Sequence, residues 1–177
     1  MRGGAEGGVN MAFRHVLVPT DFSEPANRAL PYAAEEAIVH RAKVTLLHVL
    51  PSDAGTDVYY VSGSPASGFA AGVDVVAGGR LGTAPVSEPT VVRRDDSEAA
   101  LTRLRDLVPE AFRGTWEVEI AVGRPADTIV RLARERNADL IVMATHGRTG
   151  LEHVVMGSVA EKVVRLAPCP VLTVKGG

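Results

Sequence analysis

An α/β fold built on a doubly wound, five-stranded parallel sheet is what this sequence predicts, on three observations. Five short runs rich in valine, isoleucine and leucine recur along the chain, nearly continuous in apolar residues rather than alternating. Such runs fit strands covered on both faces. Stretches with helical spacing fill the gaps between them. Strand and helix therefore alternate, the pattern of a parallel sheet with right-handed crossovers and helices on both sides.

Taken in order, the first strand is His15-Val16-Leu17-Val18-Pro19. Ser23 is placed to cap the helix that follows, whose apolar positions are Ala26, Ala29, Leu30, Ala33, Ala34, Ala37 and Ile38. Pro31 falls inside that pattern and is expected to kink it or remove a hydrogen bond. The second strand spans Val44 to Leu50. The second helix runs from about Ser97 to Val108, with Leu101, Leu104, Leu107 and Val108 on one face. Trp116 to Val122 form the third strand, and Pro125 suits the first turn of a helix burying Ile129, Leu132 and Ala133. Leu140 to Ala144 form the fourth. The last helix starts at Ser158 and ends before Pro168, burying Val159, Val163 and Leu166, and Val171 to Val174 complete the sheet.

At 177 residues, 46% of them hydrophobic, the chain suffices for one packed domain, expected over residues 13–177. Residues 1–12 read as a flexible leader without the apolar core of a signal peptide, and Met11 stands as an alternative start. Residues 51–95, rich in Gly, Ser, Pro and Ala, interrupt the rhythm and read as a mobile insertion. Its apolar pieces Val58-Tyr59-Tyr60-Val61 and Val73-Asp74-Val75-Val76 leave a small hairpin or lid open. A net charge of −2 and a pI near 6.2 argue against nucleic-acid binding by bulk electrostatics. No apolar run reaches the roughly 20 residues of a membrane span. The lone Cys169 excludes an internal disulfide and reads as a small packed hydrophobe. A cytoplasmic protein is expected.

Ligands in open parallel sheets sit beyond the carboxyl ends of the strands, where the strand order reverses. The first strand ends in Pro19-Thr20-Asp21 and the fourth in Met143-Ala144-Thr145-His146, followed by Gly147-Arg148-Thr149-Gly150 and, farther on, Gly157-Ser158-Val159. Glycines allow a ligand close to the main chain, and a helix start presents free N–H groups to an anion. Asp21 suits a ribose hydroxyl or a phosphate-bound Mg²⁺, or it caps its own turn. Singly, Gly147, Gly150 and Gly157 read as turn residues, Arg148 as a surface charge, His146 and His153 as surface histidines and His48 as a packed one; only together do they suggest a phosphate loop.

Three segments, VLVPTDFSEPANRAL, VTLLHVL and MATHGRTGLEHVVMGSVAEKVVRLAPCPVLTVK, resemble the universal stress protein family. The likeness covers both ends and the middle strand of the domain. The family's loop has the form Gly, two residues, Gly, nine residues, Gly, then Ser or Thr; here Gly147, the gap and Gly157-Ser158 match, while Ala144 replaces the first glycine. The resemblance implies a Rossmann-like, adenine nucleotide α-hydrolase fold that binds ATP, with or without Mg²⁺. By the same analogy, Gly147, Arg148, Gly157 and Ser158 meet phosphates, Val49 meets adenine through its backbone, and Pro19, Thr20 and Asp21 line the adenine and ribose side. A valine at Gly157 is expected to fill the phosphate space. The family also commonly forms a homodimer through its last strand, here Val171 to Val174.

Other chemistries lack their motifs: the sequence has no Walker loop, no dinucleotide fingerprint and no Gly-x-Ser-x-Gly elbow. The leading expectation is a nucleotide-gated stress-response regulator. Its rivals are a slow ATPase or autophosphorylating enzyme using Ser158 or Thr149, and a non-nucleotide dimeric interaction module, which Ala144 keeps in view.

Overall fold

The computed structural model describes residues 12–51, 58–62, 74–77, 94–108, 114–146 and 156–175. Within them the elements run β1 (His15–Pro19), α1 (Glu24–Asn27), α2 (Ala29–His40), β2 (Lys43–Pro51), β3 (Val58–Ser62), β4 (Asp74–Ala77), α3 (Arg94–Leu107), β5 (Trp116–Gly123), α4 (Pro125–Glu135), β6 (Leu140–Ala144), α5 (Ser158–Leu166) and β7 (Val171–Val174). The sheet order is β4-β3-β5-β2-β1-β6-β7. Its five predicted strands, β5, β2, β1, β6 and β7, pair in parallel throughout.

Strand residues alternate between two cores, which is why the apolar runs are unbroken. Val16, Val18, Val44, Leu46 and Val118 face α2 and α3, packing with Ala33, Ala37, Leu101 and Leu104. Leu17, Leu47, Ile141 and Met143 face the other way, onto Ile129, Leu132, Ala133 and Val163 of α4 and α5. The doubly wound reading follows directly from that alternation.

Two strands exceed the prediction. The apolar pieces of the 51–95 segment form an antiparallel hairpin, Val58 opposite Ala77, and β3 then pairs antiparallel with β5 from Tyr59–Ala121 to Ser62–Val118. Residues 52–57, 63–73 and 78–93 of that segment, and residues 1–11 of the leader, lie outside the described residues.

The helix after β1 is divided at Arg28 into α1 and α2, and this accommodates Pro31. Proline becomes the third residue of α2, where the backbone N–H has no intrahelical acceptor to lose. Ser23 caps α1 as predicted, its Oγ accepting from the Ala26 N–H at 3.2 Å. Two core assignments change. Ile38, one residue beyond the buried Ala37, has turned about 100° away from the sheet and is exposed; Leu166, the last residue of α5, is exposed as well.

Candidate functional site

β1 lies between β2 and β6, so the chain's strand order reverses at the β1–β6 boundary. Pairing there is brief. Only Val16–Leu140 and Leu17–Ile141 are in register, whereas β1 and β2 pair from His15–Lys43 to Pro19–Leu47. Past Leu17 the two strands diverge, and a cavity of about 310 Å³ opens between their carboxyl ends.

β1 and the turn after it contribute Pro19, Thr20 and Asp21, and β2 contributes His48, Val49 and Pro51. The far wall is Met143, Ala144, Thr145 and His146, closed by Gly157, Ser158, Val159 and Ala160 at the start of α5. Pro125 and Ile129 of α4 and Ala26 of α1 complete it. The cavity thus gathers every predicted site residue that is described: Pro19, Thr20, Asp21, Val49, Met143, Ala144, His146, Gly157, Ser158 and Val159. Gly147, Arg148, Thr149 and Gly150 lie outside the described residues, as does His153.

Of the lining residues that sequence reasoning missed, Pro51 and Pro125 sit just where β2 and α4 meet the carboxyl edge. Their signal was position at an element's end. Ile129 follows Pro125 by one helical turn, and Thr145 falls between two predicted neighbours. His48 is packed, as expected, yet also lines the cavity. Its Nδ1–H donates to the Thr20 carbonyl at 2.8 Å.

The β1–α1 turn is held by side chains. Asp21 Oδ1 accepts from the Ser23 N–H at 3.0 Å and from its hydroxyl at 2.6 Å, so the capping role weighed for Asp21 is realised while the residue lines the cavity. Thr20 Oγ1 accepts from the Phe22 N–H and donates to Asn27 Oδ1, both at 3.0 Å. Phe22 takes the left-handed conformation, φ 65°. Its ring centroid lies 4.2 Å from that of His48, and the Arg103 guanidinium carbon stands 4.1 Å from it.

At the opposite wall Gly157, not Ser158, is the N-cap of α5; Ser158 is its first helical residue, and no side chain caps the helix. The backbone N–H groups of the first turn, without intrahelical acceptors, therefore stand at the cavity rim with the positive end of the helix dipole. Gly157 has φ −67°, open to any residue, so space rather than torsion demands glycine. Its N–H donates to the Thr145 carbonyl at 2.7 Å, and a β-carbon there would stand 3.2 Å from that same oxygen. The β-carbon of a valine would press on the main chain just past β6, a steric cost beside the filling of phosphate space that the sequence suggests. Among the described residues, no three potential ligands of His, Cys, Asp or Glu type cluster for a metal.

Comparison with known proteins gives a consistent result. A family model described as the universal stress protein family matches residues 12–175. Universal stress protein MJ0531 of Methanocaldococcus jannaschii is 33% identical over 167 residues, spanning 92% of this chain and 82% of that protein. Among solved structures, the universal stress protein UspA from Lactobacillus plantarum superposes with a TM-score of 0.63 at 26% identity, covering 92% of this chain and 97% of that one. The Archaeoglobus fulgidus universal stress protein, solved in complex with dAMP, does so at 0.53 and 22%, covering 92% and 98%, a likeness of fold. By sequence, and with a sheet that agrees, this chain belongs to the universal stress protein family.

Proposed function

We propose that the cavity binds an adenine nucleotide, ATP in the first instance, and that occupancy gates a stress-response regulator. The observation that carries this reading is the meeting of two unlike walls. A mostly apolar slot (Val49, Ile129, Met143, Pro19) suits a flat base, and it ends at an uncapped helix start suited to phosphate. Val49 would meet adenine and Asp21 the ribose, and Gly157 and Ser158 would meet phosphate together with Gly147 and Arg148. Mg²⁺ would arrive with the phosphates, which leave it needing only one or two carboxylates; Asp21 is the carboxylate at hand. A structural relative solved with dAMP supports the same ligand class. We also assign a homodimer to the β7 edge and a cytoplasmic setting. No helix among the described residues is long and apolar enough to cross a membrane.

The test is a thermal melt with calorimetry, titrating ATP, ADP and AMP with and without Mg²⁺. Ligand at 100 times its Kd adds about 2.7 kcal/mol, roughly 5–10 °C in Tm for a domain of this size. Saturating adenylates that leave Tm unmoved would rule the reading out.

A further inference from the structure

Phe22 lines no part of the cavity, yet its ring contacts both His48, which does, and Arg103, which does not. We infer that Arg103 is a positioning residue for the nucleotide site, acting through Phe22. This rests on the reading of the cavity given above.

The argument starts from a disfavoured backbone. A bulky residue at φ 65° is uncommon and persists only where its surroundings hold it. Here two contacts hold the ring. One is His48, at 4.2 Å between centroids; its Nδ1–H is fixed on the Thr20 carbonyl at 2.8 Å. The other is Arg103, whose guanidinium carbon lies 4.1 Å from the ring centroid, within cation–π range. Phe22 is covalently next to Asp21, and its N–H donates to Thr20 Oγ1 at 3.0 Å. The conformation of Phe22 therefore sets the direction in which Thr20 and Asp21 face the cavity. Arg103 itself belongs to α3, which is anchored by the buried Leu101 and Leu104 and contributes no described residue to the cavity. Held by contacts to an anchored helix and to a fixed imidazole, the aromatic ring transmits the position of α3 to the acidic side of the site.

A double-mutant cycle read by calorimetric ATP binding tests this. Arg103→Met and Phe22→Leu are each expected to weaken ATP binding about two- to fivefold, the scale of one exposed cation–π contact. The double variant should be no weaker than the worse single one, because both remove the same contact. Arg103→Lys should restore binding. Phe22→Leu keeps the cation, which separates this account from a general effect of positive charge near phosphate. A second readout needs no nucleotide: the His48 ring proton resonances, shifted by the nearby aromatic ring, should move in both single variants. Arg103 is exposed, so its variants test the inference even if Phe22→Leu folds poorly. Single variants that bind like the wild type, or losses that add, overturn the inference and leave the nucleotide reading standing. A wild-type protein that binds no adenylate removes both.

Discussion

Single residues reveal how far the chemistry of this protein is local. His15 is buried at the amino end of β1, its Nδ1–H donating to the Arg136 carbonyl at 3.0 Å and its Nε2 2.8 Å from Thr45 Oγ1. Burial outweighs the Arg136 carbonyl and holds its pKa below the ordinary histidine value. The unfolded chain therefore takes up a proton, at about pH 6.5, where the folded chain does not. The stabilisation is complete above that pH and is lost as the pH falls below it. Calorimetric melts from pH 8 to 5 should show this acid-side loss, and His15→Gln should flatten it. Gly157 offers a second prediction. Alanine adds a carbon 3.2 Å from the Thr145 carbonyl, which must yield slightly; valine adds two more in the same crowded junction. Gly157→Val is expected to cost about 1–3 kcal/mol of stability in urea melts, the range for overpacking, and Gly157→Ala distinctly less. Cys169 keeps to its expected role: half-buried against the α4–α5 core, its thiol is pushed up by burial and then by Asp139, away from the reactive thiolate.

Helices and strands were legible where spacing and burial agree. All five parallel strands and the Pro125 helix start follow from apolar runs and proline chemistry. The division at Arg28 did not, because the sequence shows Pro31 without showing that its N–H can be placed where no acceptor is required. Ile38 misled for a related reason. α2 packs through small alanines over a narrow stripe, and helical spacing alone does not give the stripe's width. The carboxyl end of α2 supports a further prediction. Arg41 adopts φ 53° while the Ala42 N–H reaches back to Ala37 O at 2.9 Å, a left-handed cap that usually holds glycine. Arg41→Gly should raise stability by about 0.5–1 kcal/mol in denaturant melts, with no change at the distant cavity.

For the molecule as a whole, the edges of the sheet matter most. β7 forms one edge, and α5, which packs against it, leaves Val164 and Leu166 exposed. The carbonyls of Pro170 and Val174 accept bonds from Ile141 and Thr145 on the β6 side, so the alternate residues Val171 and Thr173 point their backbone groups outward. If a second copy pairs there, light scattering at micromolar concentration should return a dimer, and Thr173→Pro, which removes an outward donor, should return a monomer. The candidate site was legible because its residues cluster at strand ends, a rule of topology that sequence order exposes. The hairpin edge was not, since two four- or five-residue apolar pieces do not announce a partner in β5. The brief register between β1 and β6 carries a mechanical consequence. Two matched pairs join the β4-β3-β5-β2-β1 part of the sheet to the β6-β7 part, with Asp139 clasping the amides of Arg14 and His15 where β1 begins. A guest seated across the gap would act as a staple over the weakest seam in the sheet, and slowed amide exchange on both flanking strands would be its imprint.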